Sequence, residues 1–348
     1  MPKSQTNRKS KKISIAFTEV EDRWEKDYLN QLLKGDFDLA FYDKPAQSLG
    51  DELKTFDILS VFIKSKLDRS FLNRNPSLQF ICTRSTGYDH IDVKAAKEKG
   101  IPVSNVPTYG ENTVAEHTFA LILSLSRRLR KAYLKTLASD FSLSGLMGFD
   151  LKGKTLGVVG TGHIGLHVIR IGVGFGMKVL AYDVQEKKFL SEVLGFEHVP
   201  FEELLAKSDI ISLNVPYLPS THHMINEKTI RMIKKGAVLI NTARGGLIDT
   251  NALVKALDEG ILSGAGLDVL EEEEFILEEK RILENSESKA HWDKLNTTLK
   301  NHVLLHRENV IYTPHMAFCS REAIERILDT TAENIRAYLN SHPVHLVC

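Results

Sequence analysis

Six residues imply a ligand most directly in this 348-residue chain: Gly160-Thr161-Gly162-His163-Ile164-Gly165. They close an apolar run, TLGVVG (155–160), and open a helix-like stretch, LHVIRIGVGFG. A second apolar run, KVLAYD (178–183), ends in Asp183, about 20 residues on. In that context each glycine has a mechanical task. Gly160 permits a tight turn, Gly162 lets backbone approach a pyrophosphate, and Gly165 lets the helix pack on the sheet. The helix start offers unpaired N–H groups and a positive dipole end to the anion. An acid at 183 would accept from ribose hydroxyls and repel a 2′-phosphate, which favours NAD over NADP. Lys187 and Lys188 follow close behind it and temper that preference.

A nicotinamide cofactor brings hydride chemistry, and transfer to a 2-oxo acid makes three demands. A cation must hold the carboxylate and polarise the ketone, and arginine does this bidentately. An acid must protonate the developing alkoxide, and histidine titrates in the working range. A carboxylate beside the histidine stabilises its protonated form. The second half of the chain offers each at a predicted strand end. Arg244 follows AVLIN (237–241), His315 follows VIYTP, and the run Glu271 to Glu274 follows LDV. The carboxyl ends of parallel strands are where open α/β sheets bind ligands. The residues alone do not choose among the four glutamates.

The elements that must position these groups alternate. ISIAF (13–17), DILSVFI (57–63), LQFICT (78–83) and IPVSNV (101–106) read as strands with helical spacing between them. Residues 111–138 carry one long helical pattern without internal Gly or Pro. Alternation restarts at Thr155 with TLGVVG, KVLAYD, DIISLNV (209–215), AVLIN and LSGAGLDV (262–269), and VIYTPH (310–315) closes it. This predicts parallel sheets with helices on their faces. Residues 271–309 break the rhythm and are expected to be functional or partly helical. Residues 320–339 read as a terminal helix.

Several stretches together resemble the D-isomer-specific 2-hydroxyacid dehydrogenases, and within them the D-lactate and D-2-hydroxyisocaproate dehydrogenase group. They are STGYDHID (85–92), NVPTYGENTVAEH (105–117), VVGTGHIG (158–165), SLNVPYLPST (212–221), NTARGGLID (241–249), GAGLDVLEEE (264–273) and TPHMAF (313–318). The resemblance runs from Ile13 to the terminal helix. It implies two Rossmann-like domains with an interdomain cleft: a flavodoxin-like substrate domain of 1–110 and 318–348, and a doubly wound NAD-binding domain of 111–317. It implies Arg244 as the residue that binds the carboxylate and polarises the carbonyl, and His315 as acid/base. It selects Glu273, five residues after Asp268, as the partner that keeps His315 protonated. Thr86 and Gly87 match substrate-carboxylate donors, and Tyr109 matches an aromatic lining the substrate site. His163, Ile164, Asp183, Pro216, Thr221, Thr242, Ala243 and Asp268 match cofactor contacts, beside the three loop glycines. A homodimer and hinge closure are also implied.

Composition bounds the remaining classes. Lys plus Arg equals Asp plus Glu, 45 each, so no global field favours nucleic acid or an anionic membrane. Three cysteines without CxxC spacing suit a reducing, cytoplasmic compartment. The basic first dozen residues read as a solvated tail. Thirteen histidines contain no HExxH pattern, and His222 and His223 are adjacent and expected to point apart, so no catalytic metal is expected. Two competitors use the same fold. A NAD-sensing co-repressor would bind peptides, and neutral charge disfavours it. A formate dehydrogenase needs no glutamate relay, which a retained acid near 273 argues against.

Overall fold

A computed structural model describes residues 12–35, 37–273 and 289–348. Twelve strands and eleven α-helices are described. In chain order they are β1 (Ile13–Phe17), α1 (Arg23–Leu32), β2 (Phe37–Phe41), β3 (Ile58–Val61), α2 (Arg69–Arg74), β4 (Phe80–Thr83), α3 (Val93–Glu98) and β5 (Val103–Ser104). Then come α4 (Glu111–Ser126), α5 (Leu129–Leu137), β6 (Thr155–Val159), α6 (His163–Gly174), β7 (Lys178–Tyr182), α7 (Lys188–Leu194), β8 (Glu197–His198), α8 (Phe201–Lys207) and β9 (Ile210–Leu213). Last are β10 (Ala237–Asn241), α9 (Thr250–Asp258), β11 (Leu262–Leu267), α10 (Lys289–His306), β12 (Val310–Tyr312) and α11 (Arg321–Leu339).

The chain divides into two compact units, 1–109 with 320–348, and 110–319. In the first, β2-β1-β3-β4-β5 form an all-parallel sheet, the flavodoxin-like order. β3 and β4 are buried at every residue, as a strand covered on both faces must be. One face packs Leu59, Phe71, Leu72, Ile81 and Ala95. The other packs Ile15, Phe17, Leu29 and Phe80 with Leu328 and Ile335 of α11. Asp68, Asp92 and Ser320 cap α2, α3 and α11 through their side-chain oxygens.

In the second unit the parallel order is β12-β11-β10-β9-β6-β7-β8. Strand order reverses between β6 and β9, so the ends of these two strands form the switch point where a dinucleotide binds. Two cores cover its faces, one around Leu213, Leu239, Leu253 and Leu304, the other around Phe119, Ile122, Leu156, Val168 and Ile240. Among the described residues no helix is long and apolar enough to cross a membrane.

Three local readings are corrected. The pattern over 111–138 is two helices, broken at Arg128 with φ +50°. The returning chain causes the break. The Phe149 amide takes the Ser126 carbonyl at 3.0 Å, and Gly148 passes so close that a Cβ would lie 2.0 Å from that oxygen. The strand expected over 101–106 shrinks to β5, because Pro102 lacks an N–H and Asn105 and Val106 donate to His345 and Ser85 instead. The stretch 37–41, unassigned from sequence, is β2, held along its whole length by β1. The expected helix in 271–309 is α10, while Glu274 and the N-terminal tail lie outside the described residues.

Candidate active site

The glycine loop leaves β6 with the Gly160 amide bonded to the Tyr182 carbonyl at 2.8 Å. Gly160 has φ +96°, and a Cβ there would lie 2.6 Å from the Asn214 carbonyl oxygen. At Gly165 a Cβ would lie 1.9 Å from the Gly160 carbonyl oxygen, so α6 can reach the loop only with glycine at this position. Around Gly162, the N-cap, a Cβ would meet nothing within 4 Å. The loop therefore has one open side, above the first-turn amides of His163, Ile164 and Gly165, and it fits a pyrophosphate. The His163 side chain is exposed, with Nδ1 3.6 Å from Glu111 Oε1.

Asp183 ends β7. Its Oδ2 accepts from the Thr161 amide at 2.6 Å and hydroxyl at 2.9 Å, and Oδ1 accepts from the Gln185 amide at 3.0 Å. Burial works against the charge. These donors, with Lys187 nearby, outweigh it and hold the carboxyl below the usual aspartate range. The Lys187 ammonium is itself spent on the Thr161 carbonyl, at 2.9 Å. After β9, Thr221 Oγ1 donates to the Pro216 carbonyl at 2.7 Å and closes the loop that carries both residues.

Arg244 stands just past β10. The Asn241 side chain shapes its loop, with Nδ2 donating to the Arg244 carbonyl at 2.9 Å and Oδ1 accepting from the Ala243 amide at 3.0 Å. The half-buried guanidinium donates to the Ala243 carbonyl at 2.8 Å. Gly245 leans on the next strand end, where a Cβ would lie 2.0 Å from the Leu270 carbonyl oxygen.

His315 and Glu273 meet, although 42 positions separate them. His315 Nδ1 lies 2.7 Å from Glu273 Oε1. A carboxylate only accepts, so Nδ1 carries the proton and the outer nitrogen, Nε2, is left for other partners. The ring is aimed by a left-handed residue, His315 at φ +52°. Asp268 builds that turn. Its carbonyl accepts from the His315 amide at 2.8 Å. Its carboxylate accepts from the Met316 and Ala317 amides at 2.9 and 2.8 Å and from Thr313 Oγ1 at 2.5 Å. Burial alone would raise the Asp268 pKa. His117, Thr313 and the two amides overcome it and hold the carboxyl below its usual value. Burial, with Glu273 and Asp268 adding negative charge, pushes the neighbouring Tyr312 phenol up to about 12. Tyr312 thus stays neutral across the working range.

The other unit holds Thr86 and Gly87 in a tight loop after β4. Thr86 Oγ1 donates to the Val106 carbonyl and Asn105 Nδ2 to the Thr86 carbonyl, both at 2.8 Å, and Ser85 Oγ donates to the Gly87 carbonyl at 2.7 Å. Among the described residues no acceptor takes the amides of Thr86 and Gly87. Arg84 anchors the loop from within. It is 3% exposed, with its guanidinium spent on Ser60, Thr18 and Glu19. Tyr109 is half-buried, and its carbonyl accepts from Arg326.

One pair escaped the sequence reading. His223 Nε2 lies 2.6 Å from Glu271 Oε1, and Glu271 Oε2 accepts from Thr250 Oγ1 at 2.8 Å. The rings of His222 and His223 do not point apart. They stack at 3.8 Å, because the segment is a turn with His223 at φ +48°. Glu271 thus secures the turn from which Glu273 reaches His315. The only prior signal was the acidic run itself.

A glycine loop of this shape at a sheet's switch point marks a dinucleotide-binding protein of the doubly wound α/β class. The family model for the NAD-binding domain of the D-isomer-specific 2-hydroxyacid dehydrogenases matches residues 119–317. A D-lactate dehydrogenase from Aquifex aeolicus, solved with NAD and lactic acid, superposes with a TM-score of 0.84 at 40% identity, covering 94% of this chain and 96% of that one. A glyoxylate reductase from Thermococcus litoralis is 37% identical over 87% of both chains. The D-lactate dehydrogenase of Escherichia coli is 35% identical, over 86% of this chain and 93% of that enzyme. The chain belongs to the D-isomer-specific 2-hydroxyacid dehydrogenase family, and its cofactor is NAD.

Proposed function

We propose that the chain interconverts a small 2-oxo acid of the pyruvate type and its D-2-hydroxy acid, with Arg244, His315 and Glu273 as the reacting groups. The observation that carries this is the 2.7 Å contact between His315 Nδ1 and Glu273, which turns Nε2 outward. Gly160, Gly162 and Gly165, the first-turn amides of α6 and Asp183 would hold the dinucleotide, with Pro216, Thr221, Thr242, Ala243 and Asp268 along its remainder. When bound, that group supplies or accepts the hydride. Arg244 pairs with the substrate carboxylate and draws electron density onto the keto oxygen. The unengaged amides of Thr86 and Gly87 suit a substrate carboxylate, and Tyr109 suits an apolar substrate side chain. His315 gives the Nε2 proton to the alkoxide oxygen in reduction and takes it back in oxidation. Glu273 keeps the ring oriented and offsets its positive charge.

The test follows NADH absorbance with pyruvate, glyoxylate, 4-methyl-2-oxopentanoate and phenylpyruvate. Glyoxylate is included because the Thermococcus litoralis relative is a glyoxylate reductase. Turnover is expected, with Arg244→Ala lowering kcat/KM by about 1000-fold, roughly 4 kcal/mol of transition-state stabilisation. NADH binding without turnover of any of the four would overturn the reading in favour of a NAD-sensing binding protein.

We further infer a homodimer. Tyr133, Leu137, Phe141, Leu143 and Met147 follow one another on α5 and the segment after it, each at least 65% exposed. So dense an apolar stretch calls for cover, and a second copy supplies it. The thiols of Cys82, Cys319 and Cys348, none of them in a disulfide, suit the cytoplasm.

A further inference from the structure

Two neighbouring residues of α4 touch the supports of both reacting side chains, and the reaction as written uses neither. His117 Nε2 lies 2.9 Å from Thr313 Oγ1 and 3.5 Å from Asp268 Oδ1. Thr118, fully buried, places Oγ1 2.9 Å from Thr242 Oγ1. All of these residues lie in the 110–319 unit.

Counting protons fixes the direction of both contacts. The Asp268 carboxylate can only accept, so the single Thr313 hydroxyl proton goes to it. Thr313 then meets His117 as an acceptor, and His117 Nε2 must carry a proton. Thr118 Oγ1 already donates to the Val114 carbonyl at 2.9 Å, so Thr242 donates to Thr118. The first contact leads through Asp268 to the left-handed turn that aims His315. The second ends two residues before Arg244. The helix is held against β10, β11 and β12, with Leu121 and Leu125 lying close over Gly266 of β11. It therefore provides a common rigid reference for two loops whose key residues, Arg244 and His315, are 71 positions apart in sequence.

We propose that His117 and Thr118 are positioning residues that set the placement of His315 relative to Arg244. This rests on the assignment of those two residues above. The two contacts should fail differently. Losing the His117 donor loosens the turn behind the acid/base, which acts in the transition state, so kcat falls. Losing the Thr118 hydroxyl loosens the Arg244 loop, which also grips the ground-state carboxylate, so KM for the 2-oxo acid rises.

Four variants test this in the full-length enzyme. His117→Leu keeps bulk without a donor, and His117→Asn carries a donor too short to reach Thr313. His117→Gln restores a donor at nearly the same reach, and Thr118→Val keeps shape without the hydroxyl. His117→Leu and His117→Asn should lower kcat by about 10- to 100-fold, with NADH affinity by fluorescence titration changing far less than kcat. His117→Gln should recover most of the loss, and Thr118→Val should raise KM by about tenfold. Should His117→Leu fail to fold, the Asn and Gln pair decides. Kinetics within twofold of the parent, no rescue by Gln, or a loss of NADH affinity in proportion to kcat would each overturn the proposal. Arg244→Ala and His315→Ala are measured alongside. If they keep turnover, the reading of the site itself falls; if they abolish it, only the positioning role is in question.

Discussion

Gly162 and Gly165 stand three residues apart, and the same added methyl group should do different things to each. At Gly165 it collides with the Gly160 carbonyl, so Gly165→Ala must shift α6. The expected cost is about 1–3 kcal/mol, read as a lower Tm, together with weaker NADH binding. At Gly162 it meets no protein atom, and φ of −69° suits alanine. Gly162→Ala should leave Tm within a degree or two while raising the NADH Kd at least tenfold; an unchanged Kd would show that the open side is not the pyrophosphate's. Asp268 predicts a pH dependence. Its carboxyl is held below the usual value, with burial opposing and the hydrogen bonds of His117, Thr313, Ala317 and Met316 prevailing. A lowered folded-state pKa contributes stability above the unfolded value, near about 4, and that stability is lost as pH falls through the folded value. Asp268→Asn should therefore be less stable by about 2 kcal/mol at neutral pH and should lose less stability than the parent on acidification below about pH 4. Urea titrations at several pH values check both.

At the scale of elements, the site depends on how helices begin and end. Asp249 caps α9 by accepting from the Asn251 amide at 2.8 Å and the Ala252 amide at 3.3 Å. Thr250, the first helical residue, holds the carboxylate of Glu271. Asp249→Ala should cost about 1 kcal/mol, seen as a lower urea midpoint with an unchanged slope. Kinetics should move little, since Thr250 keeps its hydroxyl. The break between α4 and α5 shows the opposite dependence, on distant chain. Nothing in residues 126–129 forbids a continuous helix. The Phe149 amide, bonded to the Ser126 carbonyl, ends it.

At the scale of the whole molecule, each unit has its own sheet covered on both faces, so each can hold its shape through its own core. What neither core covers is the apolar stretch of α5 and the segment after it. Phe141 and Met147 are 78% and 87% exposed. The double variant Phe141→Glu/Met147→Glu should sediment as a monomer where the parent sediments as a dimer. A parent that is monomeric at micromolar concentration would overturn the homodimer.

The alternation of strands and helices, the dinucleotide loop and the residue types at the strand ends are all legible in the order of the amino acids. These are local: a buried parallel strand needs an unbroken apolar run, and a pyrophosphate turn needs glycines at fixed spacing. Arg244 and His315 were legible because each directly follows such a run. Glu273 could be chosen among its neighbours only through the family resemblance. Tertiary structure decided which glutamate faces which histidine, since Glu271 meets His223 and Glu273 meets His315 across separations of 48 and 42 residues. It also decided the left-handed backbone at His223 and His315, whose amides meet the distant carbonyls of Gly246 and Asp268. The roles of His117 and Thr118 were hidden for the same reason: a hydrogen bond between a helix and a strand end nearly 200 residues away leaves no periodic trace in either segment.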